Sequence, residues 1–443
     1  MYKKIWYLLF FNLLWLSGPV IHAQDSILAR RYITDLASPA MYGRGYSYRG
    51  DSIAAAYIRQ QFTDLNIKPL GDNYYQSYQF PAFAMEGEVR VSVNGKQLDP
   101  FTAFRIYPFS RSIQQNNIPV IYFDPALLLD DRKLDRFLKK NQKKFRDHFV
   151  VIDMVNYRPK ESKDLQTVNF LLEMMKIGRT NIFSSPGLLI TTEELPVIGL
   201  SMTHYERDYA LVYVILPDQE KIKTVDVFFS NKLNLHQTQN IAAIVPGKLE
   251  PDSFIVFTAH YDHIGSMGET VIFPGAHDNA SGTATVMNLA KYYHENPAPY
   301  SMVFLLFSGE EAGLRGSAYF LNDPLIALDK IKLLVNIDMF CGGDDGIMVV
   351  NGKEGIPGEF YEILVRTNLR SNAVPEVKNR SNAANSDHYP FTQKDVPALF
   401  IYTIGGGYGG YHEYTDTGER CSLSKWEDMV KLLISATEEF MRH

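Results

Sequence analysis

Short apolar runs, rich in β-branched and aromatic residues, recur along the carboxyl-terminal half of the chain and alternate with a helical pattern. Runs of this length and composition predict buried parallel strands at 241–245, 254–259, 302–307, 333–337 and 398–402. Apolar residues at helical spacing predict a helix at 283–293. The alternation of strand, loop and helix predicts a largely parallel sheet that is covered by helices from residue 239 to residue 443.

The amino-terminal half shows two other patterns. Residues 24–84 predict two helices, at 26–36 and 52–65, with Asp51 as the N-cap of the second. In residues 85–238, several short runs alternate between apolar and polar positions, and Asn94-Gly95 predicts a hairpin turn. The predicted fold is therefore mixed α/β: a largely parallel sheet flanked by helices, with a mostly β inserted region at 85–238.

The first 23 residues differ from the rest of the chain. Lys3 and Lys4 precede an apolar stretch at 5–16, and Ile21-His22-Ala23 offers a cleavage site before Gln24. This is the pattern of a secretory signal peptide, and the apolar stretch is short for a membrane span. We expect an exported protein, periplasmic or secreted, with no stable membrane insertion after removal of the signal.

Composition narrows the classes of partner. The chain has 443 residues, of which 46% are hydrophobic and 21% charged, with a net charge of −6. These fractions of hydrophobic and charged residues are typical of globular proteins. The lysine cluster at 139–144 is interpreted as the solvated face of an amphipathic helix, so nucleic acid is not an expected partner. Cys341 and Cys421 are the two cysteines, and a disulfide or two buried thiols are both compatible with the sequence.

Acidic and histidine residues stand where the predicted strands end. In an open α/β sheet, ligands bind at the carboxyl ends of the strands, so we expect these side chains to converge on one edge. Such a set of carboxylates and imidazoles is typical of a two-metal hydrolase. The candidates are His260, Glu310, Glu311, Asp338 and His412, together with Asp278 before the predicted helix.

The pair Glu310-Glu311 allows two different roles. Adjacent residues point in different directions, so one carboxylate can bind a metal while the other accepts a proton from water. Asp278 has two interpretations, an ordinary acidic residue at a helix start or a bridging carboxylate, and the second is favoured by its neighbours. His263 is interpreted as structural.

A serine-hydrolase interpretation of Ser386-Asp387-His388 is weaker. Catalytic triads are assembled from distant positions, and the sequence contains no G-x-S-x-G motif. Asp387 and His388 are instead candidates for the surroundings of the metal site.

These motifs together resemble the M28 family of zinc aminopeptidases, in its secreted bacterial branch. The resemblance covers residues 24–84 and 239–443, while the inserted region resembles the protease-associated insert of that family only weakly. The stretches that carry it are AHYDH at 259–263, DNASG at 278–282, GEEAGLRGS at 309–317, NIDM at 336–339, SDHYPF at 386–391 and YH at 411–412.

The resemblance implies two Zn²⁺ per chain, although manganese or cobalt also suits these ligands. One zinc would be bound by His260, Asp278 and Asp338, and the other by Asp278, Glu311 and His412. By the same resemblance, Glu310 would be the general base, Asp262 would orient His260, and Tyr411 would stabilise the oxyanion, with Tyr389 as its competitor.

The expected function is that of an exported metallo-aminopeptidase acting on peptides. Three alternatives remain open at this point: a glutaminyl cyclase-like enzyme with one zinc, a carboxypeptidase or dipeptidase on the same scaffold, and a binding protein without activity. The sequence does not indicate the preferred amino-terminal residue or the oligomeric state.

Overall fold

A computed structural model describes residues 25–177, 181–200, 207–216, 221–406 and 410–442. The predicted signal peptide lies outside these described residues. Within them, no helix combines the length and apolar character that crossing a bilayer requires.

Helices and strands alternate along most of the chain. The helices are α1 (Ser26–Leu36), α2 (Gly50–Asp64), α3 (Asp131–Phe145), α4 (Ser162–Ile177), α5 (Ser281–Glu295), α6 (Arg315–Asn322), α7 (Gly355–Ser371), α8 (His388–Thr392) and α9 (Trp426–Phe440). The strands are β1 (Lys68–Pro69), β2 (Tyr75–Val93), β3 (Lys96–Gln97), β4 (Phe104–Ile106), β5 (Ile113–Phe123), β6 (Phe149–Asp153), β7 (Gly187–Thr191), β8 (Ala210–Val214), β9 (Thr224–Val245), β10 (Glu250–His260), β11 (Ser266–Met267), β12 (Val271–Ile272), β13 (Tyr300–Phe307), β14 (Ile331–Ile337), β15 (Ile347–Val350), β16 (Val377–Arg380) and β17 (Ala398–Thr403).

One sheet runs through the molecule in the order β16-β15-β17-β14-β10-β13-β9-β5-β6-β7-β8-β4. We call the part from β16 to β13 the main half and the part from β5 to β4 the inserted half, with β9 shared between them. In the main half, β13, β10, β14 and β17 are mutually parallel neighbours. The prediction of a mixed, largely parallel sheet flanked by helices is confirmed.

The main half is buried on both faces, which explains its uninterrupted apolar strands. Seven of the eight residues of β13 are buried, and α5 is buried along most of its length. The amphipathic pattern of α1 places Ala29, Tyr32, Ile33 and Leu36 in the same core. Burial of the strands therefore fixes where their carboxyl ends, and the polar residues that follow them, must lie.

The inserted half contains more than hairpins. Strands β5, β6, β7 and β8 are parallel neighbours, with α3 and α4 between successive strands. The lysines of 139–144 are exposed on α3, as interpreted from the sequence. The long strands β2 and β9 pair with each other. Each is continuous across a predicted end of the inserted region, β2 at position 85 and β9 at position 238.

Two local predictions have different outcomes. The first predicted helix matches α1, but the N-cap assignment of Asp51 is wrong, because Arg49 precedes the helix and Asp51 lies in its first turn. The Asp51 carboxylate is buried there, and it accepts hydrogen bonds from His236 Nε2 and Thr238 Oγ1, both at 2.7 Å. These partners on β9 are distant in sequence, so the local pattern could not reveal them.

Cys341 and Cys421 form a disulfide. Their Cα atoms are 5.0 Å apart, and 80 residues separate them in sequence. The bridge joins the loop after β14 to the segment before α9, and it resolves the alternative that the sequence left open.

Candidate metal centre

The predicted site residues lie at one edge of the main half. His260 is the last residue of β10, Glu310 and Glu311 follow β13, and Asp338 directly follows β14. Because β10, β13 and β14 are parallel, their carboxyl ends meet at this edge. His412 reaches it from the loop between β17 and α9.

Asp278 stands between two groups of side chains. Its Oδ1 lies 3.3 Å from His260 Nε2, and its Oδ2 lies 3.1 Å from His412 Nε2. His260 Nε2 is also 3.3 Å from Asp338 Oδ1, whereas His412 Nε2 is 3.2 Å from Glu311 Oε2. The structure thus brings all five predicted ligands together as two triads that share one carboxylate. We call them the His260 triad (His260, Asp278, Asp338) and the His412 triad (Asp278, Glu311, His412).

Glu310 faces the first of these triads. One ligand atom from each of His260, Glu310 and Asp338 lies within 4.8 Å of the others. Asp262 fixes the backbone on which Glu310 stands, because its carboxylate accepts hydrogen bonds from the Glu310 and Glu311 amides at 3.2 and 3.4 Å. The two adjacent glutamates therefore present their side chains to different parts of one site.

Asp262 contacts His260 in two ways. The nearest acceptor to His260 Nδ1 is the Asp262 backbone oxygen, at 3.1 Å, and the carboxylate is 3.7 Å away. Tyr46 donates a hydrogen bond of 2.8 Å to the same carboxylate. Asp262 thus holds the His260 ring mainly through its carbonyl, while its carboxylate organises the Glu310-Glu311 turn.

The electrostatics of the edge require positive charge. Burial lowers the pKa of His412, but the Glu311 and Asp278 carboxylates outweigh it and raise the pKa to about 11. Burial lowers the pKa of His260 too, yet the charges of Asp338 and Glu310 raise it well above its ordinary value. Burial raises the pKa of Glu310 far above its usual range, with Glu311 adding to the effect and His260 opposing it.

The residues fit metal ions. Asp338 Oδ1 and His412 Nε2 are buried, and although imidazole and carboxylate atoms lie 3.1 to 3.3 Å away, neither atom makes a well-aligned hydrogen bond among the described residues. Buried polar atoms and buried carboxylates need a partner or a cation, and carboxylate plus imidazole is a donor set suited to zinc. Each triad offers three such ligands, and the two triads share the Asp278 carboxylate.

A second layer of hydrogen bonds orients Asp338. Ser386 donates from Oγ to Asp338 Oδ2 at 2.8 Å, and Asn336 Nδ2 donates to the same Ser386 Oγ at 2.8 Å. Asp387, the next residue, accepts from Ser317 Oγ at 2.5 Å and is fully buried. The Ser386-Asp387-His388 motif therefore supports the site through Ser386, which is bonded to a candidate metal ligand.

Arg44 is a supporting residue that the sequence did not single out. It is fully buried, and its guanidinium donates to the backbone oxygens of Tyr261 and Gly275, both at 2.7 Å, behind the candidate ligands. Gly43 has a φ of +61°, and a Cβ there would lie 2.2 Å from the Gly265 oxygen. The run Gly43-Arg44-Gly45 is the available signal in the sequence, since a close approach of this kind excludes a side chain.

Asp416 and His263 complete the support. The Asp416 carboxylate accepts from the amides of His277 and Asp278, at 2.9 and 3.2 Å, and so fixes the segment that carries the bridging carboxylate. His263 is fully buried, and its Nδ1 lies 2.8 Å from Glu311 Oε1. His263 is thus in direct contact with a candidate ligand, and its place beside the His260 motif was the signal in the sequence.

The tyrosines take different places. Tyr411 has 54% of its surface exposed, and its ring stacks on His412 with centroids 3.8 Å apart. The charges around it and its partial burial raise its pKa, with burial as the larger cause. Tyr389 lies half-buried in the first turn of α8, directly after the Ser386-Asp387-His388 motif.

Comparison with known proteins gives a consistent picture. The chain is 33% identical over 268 residues to aminopeptidase YwaD of Bacillus subtilis, covering 58% of this chain and 54% of YwaD. It is 25% identical over 208 residues to a probable leucine aminopeptidase of Arthroderma otae, covering 45% of this chain and 57% of the relative. The chain thus spans a little over half the length of these two relatives.

Solved structures share the fold over almost the whole chain. BSAP, a zinc aminopeptidase from Bacillus subtilis, superposes with a TM-score of 0.65 at 18% identity, covering 94% of this chain and 95% of that one. The aminopeptidase from Aneurinibacillus sp. strain AM-1 gives a TM-score of 0.59 at 17% identity, covering 94% and 93%. Residues 240–437, which carry every candidate ligand, match the sequence model of peptidase family M28. Over this region the chain is similar to peptidase family M28, as its motifs indicated.

Proposed function

We propose that this protein is a metal-dependent aminopeptidase that hydrolyses the amino-terminal peptide bond of peptides with two zinc ions. The observation that carries the proposal is the position of Asp278, whose two oxygens face His260 and His412 separately. A carboxylate placed in this way suits a bridge between two cations. The match to the M28 family model and the name of YwaD support the choice of an aminopeptidase, and the carboxylate and imidazole donors suit zinc.

The mechanism assigns one task to each group. When bound, the metal ions would polarise the scissile carbonyl and lower the pKa of water, so that the water can lose a proton and attack at neutral pH. Glu310, which lies against the His260 triad, takes the proton from the attacking water and transfers it to the nitrogen of the departing amine. The C–N bond breaks, and the products are a free amino acid and a shortened peptide.

The elevated pKa of Glu310 suits this double role. In the metal-free site, burial raises that pKa, with His260 opposing and the adjacent Glu311 adding to the effect, so the carboxylate there binds a proton more readily than an exposed glutamate does. A base of this kind can both accept the proton and return it within one cycle. Asp262 keeps the Glu310 amide in place during the transfer.

Metal content and a substrate panel test the proposal together. Protein beginning at Gln24 is analysed for bound metal, and aminoacyl substrates with free and with blocked amino groups are compared. Two zinc ions with cleavage restricted to free amino termini is the expected result. Cleavage of blocked substrates would contradict the aminopeptidase, and one zinc with pyroglutamate formation would replace it with a cyclase.

We further propose that the protein is exported after removal of residues 1–23. The disulfide between Cys341 and Cys421 supports this, because such bonds persist in oxidising compartments. Amino-terminal sequencing of protein recovered from the periplasm or medium should begin at Gln24. A mature chain that retains Lys3 and Lys4 would contradict the proposal.

A further inference from the structure

We propose that the inserted half of the sheet completes the metal centre, with Ile198 and Arg105 acting as positioning residues for His412. Both residues belong to the inserted region, whereas His412 belongs to the main half. The inference rests on the proposed two-metal function and adds to it a role for the insertion.

The first contact is a hydrogen bond to the imidazole. The loop after β7 places the backbone oxygen of Ile198 against His412 Nδ1, across 214 residues of sequence. A ring that donates from Nδ1 keeps the lone pair of Nε2 for a metal, and Nε2 is the atom that faces Asp278 and Glu311. The Ile198 carbonyl therefore selects the tautomer that a ligand needs.

The second contact is an ion pair to the next residue. Arg105 Nη2 lies 2.8 Å from Glu413 Oε2, and the Arg105 side chain is 2% exposed. Its Nη1 donates to the backbone oxygens of Pro100 and Phe101 at 3.3 and 3.0 Å, which fixes the guanidinium within the inserted region. A buried, fixed cation holds its carboxylate partner more firmly than a surface ion pair does.

A third contact follows in the same loop. The ring of Tyr414 packs edge-on against Phe101, with centroids 5.3 Å apart. Three consecutive residues, 412 to 414, thus contact the inserted half. His412 itself has a φ of 56°, a conformation that a non-glycine residue keeps only when its surroundings hold it.

The other triad is assembled differently. His260 ends β10, Asp338 follows β14, and Ser386 orients Asp338, all within the main half. Loosening the inserted half should therefore weaken the metal of the His412 triad and spare that of the His260 triad. This asymmetry separates a positioning role from a general contribution to folding.

The test measures zinc affinity, independently of turnover. Wild-type protein and the Arg105→Met and Arg105→Lys variants are titrated with zinc against a fluorescent chelator, which resolves two dissociation constants. Arg105→Met should weaken one of them about 10- to 100-fold and leave the other within twofold, because supporting contacts contribute on this scale. Arg105→Lys, which retains the charge, should recover part of the loss.

Arg207→Met is the matched control. Arg207 is also a buried arginine of the inserted region, 3% exposed, but its guanidinium lies over the ring of Tyr107 at 4.7 Å. This variant should keep both affinities. Wild-type affinities in folded Arg105→Met, or equal losses in Arg105→Met and Arg207→Met, would overturn the proposal.

Glu413→Gln provides an independent route if Arg105→Met does not fold. The Glu413 side chain is 24% exposed and that of Arg105 only 2%, so replacing Glu413 should disturb the buried interior less than replacing Arg105. It should weaken the same zinc site, and unchanged affinities in this variant would also overturn the proposal. The stoichiometry of the wild type answers a separate question, since a single zinc there would refute the two-metal function itself.

Discussion

The two halves of the sheet have a similar arrangement of parallel strands, but the polar groups at their strand ends are satisfied differently. Both contain four parallel strands whose carboxyl ends form an edge. In the inserted half, Asp153 ends β6 beside a cavity of about 460 Å³. Its Oδ1 accepts from Thr191 Oγ1 at 2.7 Å and its Oδ2 from Asn156 Nδ2 at 2.9 Å, so neutral donors satisfy both oxygens.

In the main half, Asp338 follows β14 at the corresponding kind of position, but it is buried, and its Oδ1 makes no well-aligned hydrogen bond among the described residues. The topology thus determines where polar groups gather in both halves. A neutral donor, Ser386, satisfies only Oδ2 of Asp338, and the buried Oδ1 that remains is what favours a cation at this edge. An acidic residue at a strand end is therefore informative only together with what surrounds it.

The largest expected effect is on catalysis at the edge of the main half. Glu310→Gln should lower kcat by about 10²- to 10⁴-fold with both metals retained, because the variant loses the proton acceptor. Glu376→Gln, at an exposed position before β16, is the control and should leave kcat unchanged. Steady-state kinetics with metal analysis decide the matter, and a loss below tenfold for Glu310→Gln would exclude it as the base.

A matched pair of substitutions addresses the comparison directly. Asp338→Asn should weaken zinc binding at the His260 triad by at least about 10²-fold, since loss of a ligand exceeds the cost of losing a supporting contact. Asp153→Asn removes the same charge from the other edge and should leave both zinc affinities unchanged. Chelator competition measures both variants, and equal effects would show that the two edges are alike.

The pH dependence of zinc affinity should be about tenfold per pH unit at the His412 triad. With a pKa of about 11, His412 is protonated in the metal-free protein between pH 6 and 8. Zinc requires the neutral ring, so binding releases that proton and the affinity rises with pH. Competition titrations at pH 6, 7 and 8 test this. A zinc affinity that does not change with pH would show that zinc binding releases no proton from His412.

The smallest expected effect concerns the oxyanion. Tyr411→Phe should reduce kcat by no more than about tenfold, because a donor that is 54% exposed competes with water, unlike the donors of a water-excluded site. Tyr389→Phe is the companion variant. A loss of 10²-fold or more in one of them alone would identify that tyrosine as the oxyanion donor.

The sequence predicted the main half well because its signals are local. Continuous apolar runs identified β10, β13, β14 and β17, and parallel pairing then determined which residues converge. The candidate ligands could be named for the same reason. The division of the ligands into two triads was implied by the family resemblance, whereas the disulfide needed the structure, since it depends on a distance between loops.

The supporting residues were harder to find. Arg44 acts through backbone oxygens, which carry no side-chain signature, and its partners Tyr261 and Gly275 lie more than 200 residues away. The Ile198 oxygen that meets His412 is likewise a backbone atom. In the inserted half, the parallel order of β5 to β8 was missed because the alternating runs of β2 and β9 were taken to represent the whole region, although β6, β7 and β8 are continuous apolar runs.

One feature of β9 has a mechanical consequence. At one end β9 pairs with β5 as well as β2, and at the other end it pairs with β13, but residues 230–240 pair with β2 alone. The connection between the two halves of the sheet is therefore a two-stranded ribbon. Bending this ribbon would carry Ile198 away from His412. Zinc at the His412 triad would then oppose the bend with the same free energy by which the unbent ribbon favours zinc. Hinge motion and metal occupancy would thus be two measures of one equilibrium.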